Sequence, residues 1–279
     1  MNIFKRISAI GVLVVCFGLG LTTQAFAATS PTLVGSAPYS VLGGAGVTCT
    51  GATTTWGAVG ISPGTSITGF PTPCTAGGGT DSNNASAIAA TADSLTAFGT
   101  LDQTCDYTYG AQDLTLLSPL PPGVYCSTSS FSLSGNLTLT GSGVWIFKTV
   151  STLITSSGSS VTGGTACSVW WRVGSSVTLA TTTSFIGNIL MYQDATLDTG
   201  ANLNGRVLGQ AGSTVTLDSN IISLTGCSTA STTTVVPSLP NTGIAPKQNS
   251  YLWQELVTAG TIALVFSLYF SSKRSSSKF

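Results

Sequence analysis

The stretch from Ser175 to Ile222 repeats itself at a step of about eighteen residues: Gly187 recurs as Gly205, Leu190 as Leu208, Leu179 as Leu197, and Phe185 as Leu203 and then Ile221. A fixed step of this length marks stacked solenoid coils, in which each turn of chain buries its apolar positions against the turn before it. Between the recurring apolar positions stand Thr, Ser, Gly, Ala and Asn with almost no charge. Each coil therefore presents small, weakly hydrated groups in register with its neighbours, which makes a flat surface without an obvious pocket.

Alternation of strand period extends the pattern from Leu114 to Leu224, through Leu133, Leu137 and Leu139, Val144 and Ile146, Val169 and Trp171, Val177 and Leu179, Ile189 and Met191, and Val215 and Leu217. With these side chains inside, Ser176, Thr178, Thr196, Thr214 and Thr216 point out. Many short strands, little helix and the repeat suit an all-β dominated fold, a β-solenoid with about three sides per coil. A β-sandwich, the competing architecture, does not explain the register of the repeat. One segment differs: Ile88, Ala92, Leu95 and Phe98 recur at helical spacing, with Asp81 or Ser82 placed to cap the start and Gly99 to mark the end. This predicts a helix over about 83–101 whose narrow, Ala-rich stripe lies against the larger body.

Only 6% of residues are charged, against the quarter usual in soluble proteins; there is no His, and the sole Glu is Glu255. General acid-base chemistry thus has few candidates, and neither an enzyme nor a cofactor is expected. Formal neutrality hides an asymmetry, because Lys5, Arg6, Lys247, Lys273, Arg274 and Lys278 belong to the ends. The middle keeps Lys148, Arg172 and Arg206 against Asp81, Asp93, Asp102, Asp106, Asp113, Asp194, Asp198 and Asp218, three minus eight, or minus five. A body of that sign does not displace counterions from phosphate, so nucleic acid is excluded as a partner. Asp194, Asp198 and Asp218 with Arg206 imitate the acidic groove of a polysaccharide-degrading solenoid enzyme; the preferred reading is that they are solvated charges at strand edges.

Lys5 and Arg6, the apolar run Ile7 to Leu21, and Ala25-Phe26-Ala27 form the three-part layout of a secretory signal with cleavage after Ala27. Residues 28–227 then form one principal domain. Its six cysteines, Cys49, Cys74, Cys105, Cys126, Cys167 and Cys227, are an even number in an exported chain, and disulfides are expected. Fifteen pairings are open; pairing sequence neighbours, Cys49 with Cys74, Cys105 with Cys126 and Cys167 with Cys227, closes one local excursion each. No metal-type spacing occurs, and no metal site is expected.

A Thr/Ser linker spans 228–238 and precedes a terminal region, 239–279. There LPNTG, Leu239, Pro240, Asn241, Thr242 and Gly243, is followed by an apolar stretch from Leu256 to Phe270 and by Lys273, Arg274 and Lys278. These three parts in order resemble a sortase sorting signal. That resemblance implies sortase cleavage between Thr242 and Gly243, transfer to a cell-envelope acceptor, and a membrane-inserted C-terminal segment before sorting. The chain is thus expected to be secreted and held at the cell wall or the outer face of the cytoplasmic membrane of a bacterium, as a monomer.

GISPGTSITGF (60–70), LPPGVYC (120–126), VWIFK (144–148), ACSVWWRVGSSVTL (166–179), TSFIGNIL (183–190) and ANLNGRVL (201–208) together resemble the microbial ice-binding protein family. The resemblance covers about Leu33 to Cys227. It implies a discontinuous, right-handed, triangular β-solenoid whose first and last coils are adjacent in space, with one long α-helix packed alongside. It also implies ice as the partner, bound through one flat Thr/Ser-rich face carrying outward T-A/G-x-T/N patterns. Thr199-Gly200-Ala201-Asn202 matches that pattern, Thr65-Ser66-Ile67-Thr68 matches it with Ser in the small position, and Thr181-Thr182-Thr183-Ser184 is a looser relative. The candidate ice-binding residues are Thr65, Thr68, Thr178, Thr181, Thr183, Thr196, Thr199, Asn202 and Thr216. A surface adhesin on the same scaffold, binding glycan or another solid, is the alternative.

Overall fold

The computed structural model describes residues 27–227. The signal segment up to residue 26, the linker 228–238, Leu239 to Gly243 and the apolar stretch Leu256 to Phe270 lie outside the described residues. Among the described residues no helix is long and apolar enough to cross a membrane.

Every paired strand runs parallel to its partner, and the strands fall into three faces of one solenoid. The first face runs through Tyr107–Tyr109, Gly123–Ser127, Trp145–Thr149 and Val169–Val173 to the second halves of Ser184–Met191 and Asn202–Gly209. It continues into Tyr39–Gly43, Ala58–Ile61 and Thr80–Ser82. The second runs Gln112–Asp113, Phe131–Leu133, Leu153–Thr155, Val177–Leu179, Ala195–Leu197, Thr214–Asp218, Gly46–Thr50 and Ser66–Thr68. The third holds Asn136–Thr138, Ser160–Thr162, the first halves of the two long strands, Ile221–Ser223, Thr54–Thr55 and Thr75–Ala76. On all three faces the N-terminal strands stack on the C-terminal ones, so the solenoid is discontinuous in sequence, as the resemblance implies.

The repeat read from the sequence is the register of the sheets: Gly187 pairs with Gly205, Leu190 with Leu208, Phe185 with Leu203, and Leu179 with Leu197. One assignment is corrected. Leu203 pairs with Ile222, not Ile221, and Ile221 is 58% exposed. The following coil is longer: Leu197 pairs with Leu217 and Leu203 with Ile222, so a constant step of eighteen falls two residues short at the first pair and one at the second.

The interior is apolar and aromatic. Tyr125, Phe147, Trp171 and Phe185 form a buried column with the exposed ring of Tyr107 stacked on its end, successive ring centroids from Tyr107 onward being 4.9, 5.3, 4.2 and 4.7 Å apart, one ring per coil. Trp145, Trp170 and Trp171 are buried, as their strand positions require. The three disulfides join Cys49 to Cys74, Cys105 to Cys126, and Cys167 to Cys227.

The helix spans Ala85–Thr100 and packs across Tyr39–Gly43, Ala58–Ile61 and the two long strands of the first face. Its cap is Asn84, whose side chain accepts from Ala87 N–H at 3.0 Å; Asp81 instead accepts from Asn84 Nδ2, correcting the expected cap. The buried side is Ala87, Ala90, Ser94, Ala97 and Phe98, small residues that bring the helix close to the sheet. Ile88 and Leu95, expected in that stripe, are 52% and 55% exposed, because the sheet surface beneath is already filled by Leu42, Leu190, Leu208 and Ile146 and admits only the Ala edge. At the other end Arg172 Nε donates to Phe98 O, with its guanidinium over the Phe98 ring, while Lys148 donates to Gln103 O and Asp102. Two cations there complement the negative end of the helix.

Candidate functional site

With the first face under the helix, two faces remain open to solvent. On the second, outward positions form columns at the strand spacing of about 4.8 Å. The middle column reads Ser132, Ile154, Thr178, Thr196, Thr216, Thr48 and Thr68 in direct register. Five threonines thus stand in consecutive coils, a line of about 19 Å at that spacing. Val177, Ala195, Val215, Val47, Leu179, Leu197, Leu217 and Cys49 lie beneath, all buried, so the line rests on a packed core. Thr48 and Thr68 are exposed, and Thr178, Thr196 and Thr216 are half-buried because neighbours one strand away cover their flanks. Within the described residues none of these five hydroxyls bonds to the protein, whereas Thr50, Thr155, Thr183 and Thr199 are all engaged.

The sequence candidates divide accordingly. Thr68, Thr178, Thr196 and Thr216 come together in this column. Thr48, which belongs there equally, was missed because it lies in the N-terminal segment, outside the repeat; its signal was the alternation Val47-Thr48-Cys49. Thr65 is exposed just before Ser66–Thr68. Thr181 and Thr199 are exposed at the turn between the second and third faces, Thr199 donating to Asp218. Asn202 lies on the third face. Thr183 is 1% exposed and bonded to Thr155 Oγ1 inside the corner, which removes it from any contact surface. The patterns at 181–184 and 199–202 wrap around a corner, with Thr183 and Ala201 buried, and do not lie flat.

The third face is less uniform. Its outward columns read Asn136, Ser160, Ser184, Asn202, Ile221, Thr54, Thr75 and Thr138, Thr162, Ile186, Asn204, Ser223. Its amides are spent on the protein: Asn136 accepts from Ser160, Asn202 from Ile221 N–H, and Asn204 pairs with Thr225.

The acidic groups do not assemble into a reacting site. Asp194 accepts from Thr214 N–H on one flank of the Thr column, and Asp218 accepts from Thr199 and Ser219 on the other. The hydrogen bonds from Thr199 and then Ser219 hold the Asp218 carboxyl below its ordinary value, opposite to the rise a general acid needs. Arg206 is remote from them, 5% exposed and bonded to Ala37 O and Asn188.

A family model described as Ice-binding-like matches residues 41–223. An ice-binding protein of Nostoc sp. (strain HG1) is 40% identical over 212 residues, covering 72% of this chain and 77% of that relative. A crystal structure of an ice binding protein from an Antarctic biological consortium is 34% identical with a TM-score of 0.64, covering 71% of this chain and 94% of that one. That of an ice-binding protein from the Antarctic ascomycete Antarctomyces psychrotrophicus is 34% identical with a TM-score of 0.65, covering 71% and 100%. Sequence, register and architecture agree, and the chain belongs to the Ice-binding-like family.

Proposed function

We propose that this protein adsorbs to ice through the second solenoid face, along the column Thr178, Thr196, Thr216, Thr48 and Thr68. The observation that carries the reading is that these five threonines are in register, uncharged and unengaged in internal hydrogen bonds. Each offers a methyl, beside which water keeps its bonds to other water, and a hydroxyl that fixes one water molecule. A β-branched side chain on a strand is already stiff, which avoids the roughly 0.5 to 1.5 kcal/mol that ordering a mobile side chain costs at an interface. The names of the similar proteins support ice as the ligand.

Thr65, Thr181 and Thr199 border the contact, and Asn202 lies beyond it. The test is thermal hysteresis and partition into a growing ice hemisphere for the body 28–227. Thr196→Tyr and Thr48→Tyr abolish both, while Asn202→Tyr and Thr138→Tyr leave them intact; the reverse pattern would move the site to the third face, and no partition of the parent would remove the reading.

The signal layout up to Ala27 and the three disulfides support an exported protein in an oxidising compartment. The LPNTG region supports sortase attachment of the envelope acceptor at Thr242, after transient insertion of Leu256 to Phe270 in the membrane. On that reading a monomer displayed on the cell surface holds the cell to ice or shapes the ice around it. Sortase treatment with a labelled amine acceptor checks this: label appears at Thr242 in the parent and is lost on Thr242→Ala.

A further inference from the structure

The last described stretch of chain turns back across the third face. After Ile221–Ser223, Asn204 grips Thr225 twice, Oδ1 accepting from Thr225 N–H at 2.8 Å and Nδ2 donating to Thr225 O at 3.3 Å. Gly226 lies against Thr165, and Cys227 is bonded to Cys167. The chain has thereby travelled down the stack, past Asn202–Gly209 and Ser184–Met191, to the loop between Ser160–Thr162 and Val169–Val173.

We propose that the Cys167–Cys227 bond is a tension clamp: a pull arriving along the C-terminal chain enters the body at Cys167 and bypasses the strand Ile221–Ser223. The inference rests on the surface attachment proposed above, which makes the C-terminus the tether and the Thr column the gripping face.

Without the bond, a pull at Cys227 acts on the end of Ile221–Ser223. That strand is three residues long and is the splice of the third face, pairing Leu203 and Asn204 on one side with Thr54 and Thr55 on the other. A strand pulled from its end gives up its bonds one at a time, and losing this one parts the N-terminal coils from the C-terminal coils on that face. With the bond in place, residues 168–226 lie inside a covalent loop of sequence separation 60, and a pull between the tether and any point outside that loop, Thr48 and Thr68 included, passes them by. The pull reaches Val169–Val173, which is paired over its length with Trp145–Thr149 and over four residues with Ser184–Met191, and carries the buried Trp170 and Trp171. The N-terminal segment is fastened at the same loop, Ser30 Oγ donating to Cys167 O and accepting from Trp170 Nε1.

Single-molecule pulling between a handle after Thr242 and a click handle at position 132, on the same face and outside the closed loop, reproduces this geometry without ice or an envelope. The parent ruptures in one high-force event. Cys167→Ser/Cys227→Ser shows an earlier, lower-force step that lengthens the tether, and its fully extended length exceeds the parent's by as much as about 200 Å as the closed loop is freed. Cys49→Ser/Cys74→Ser, which removes a different disulfide, shows no early step. Should the double variant misfold, brief phosphine treatment of folded parent, with peptide mapping to select molecules that lost only this bond, replaces it, since Cys167 and Cys227 are both half-exposed while Cys49, Cys74 and Cys126 are buried. Equal first-rupture forces with and without the bond, or an equal loss in the Cys49/Cys74 control, overturns the proposal. Failure of surface attachment shows separately, as absence of label at Thr242.

Discussion

Arg206 spreads its guanidinium over the indole of Trp56, its Cζ 5.2 Å from the ring centroid. The two residues come from opposite sides of the break in the solenoid, and the contact is one of several that fasten it: Trp56 Nε1 donates to Gly205 O and Arg206 Nη2 to Ala37 O, while Arg206 Nη1 donates to Asn188 Oδ1 in the adjoining C-terminal coil. Burial pushes the Arg206 pKa down to about 10, which leaves it charged at neutral pH, with carbonyl and amide oxygens rather than a carboxylate as its partners.

Arg206→Met therefore keeps much of the apolar stem but strands the Ala37 and Asn188 oxygens and removes the cation from Trp56. A loss of about 3 kcal/mol is expected, read as a shifted urea midpoint. A midpoint within error of the parent's would show that the strand ladders alone hold the splice.

Acid should unfold the protein through carboxylates bound in the folded state. Burial raises the Asp113 pKa, but hydrogen bonds from Ser134 and Thr115 together outweigh it and the net shift is downward; at Asp102 the bond from Lys148 lowers it. A depressed folded pKa means that the unfolded chain takes up protons first, so this stability is present above the ordinary carboxylate value and is lost as pH falls through the folded one. Melting temperature should hold at mild pH and drop below about pH 4. Asp113→Asn should melt lower at pH 6 and show a shallower acid decline.

Which face the helix covers was legible in the strands themselves. VWIFK, VWWRV and NILM run apolar on both sides, as strands buried on two faces must, whereas VTL, ATL and TVTLD alternate and leave one side wet. The repeat predicted the C-terminal register because Gly187 and Gly205 recur at a constant step. It did not extend to Gly46–Thr50, which joins the same face by a contact of very long sequence separation that no local period reports. Thr183 failed for a different reason: a turn between faces reverses the in-out alternation, and Thr183 falls on its inner side. The helix stripe failed because side-chain size, not hydrophobicity, decided which edge approached the sheet.

Ile154 interrupts the Thr column one strand below Thr178 and is 48% exposed. It supplies methyl groups and no hydroxyl, so it fixes no water. Ile154→Thr is expected to lengthen the column to six threonines and raise thermal hysteresis at equal protein concentration, with no more than about 1 kcal/mol lost in stability, the position being half in solvent. Unchanged or lower hysteresis would place the working edge of the face at Thr178.

Gly205 shows what the repeat was conserving in geometric terms. Its φ is 158°, and a Cβ added there would sit 1.9 Å from Gly187 O, in the backbone of the adjoining coil. At Gly187, φ is 119° and a Cβ would meet Trp171 Nε1 at 2.7 Å and Val169 O at 2.8 Å. The recurrence of glycine at one step thus reflects successive coils touching backbone to backbone at the same corner. Gly205→Ala cannot be relieved by a rotamer change, because the obstructing atom is a carbonyl oxygen in a parallel ladder; the two coils must separate. Overpacking of this kind should cost about 3 kcal/mol. Because Gly205 O also accepts from Trp56, the damage should spread to the splice, and hydrogen exchange should rise at Thr54–Thr55 and Ile221–Ser223 before it rises at Trp145–Thr149. Uniform exchange across the three segments would mean that the strain is shared by the whole stack.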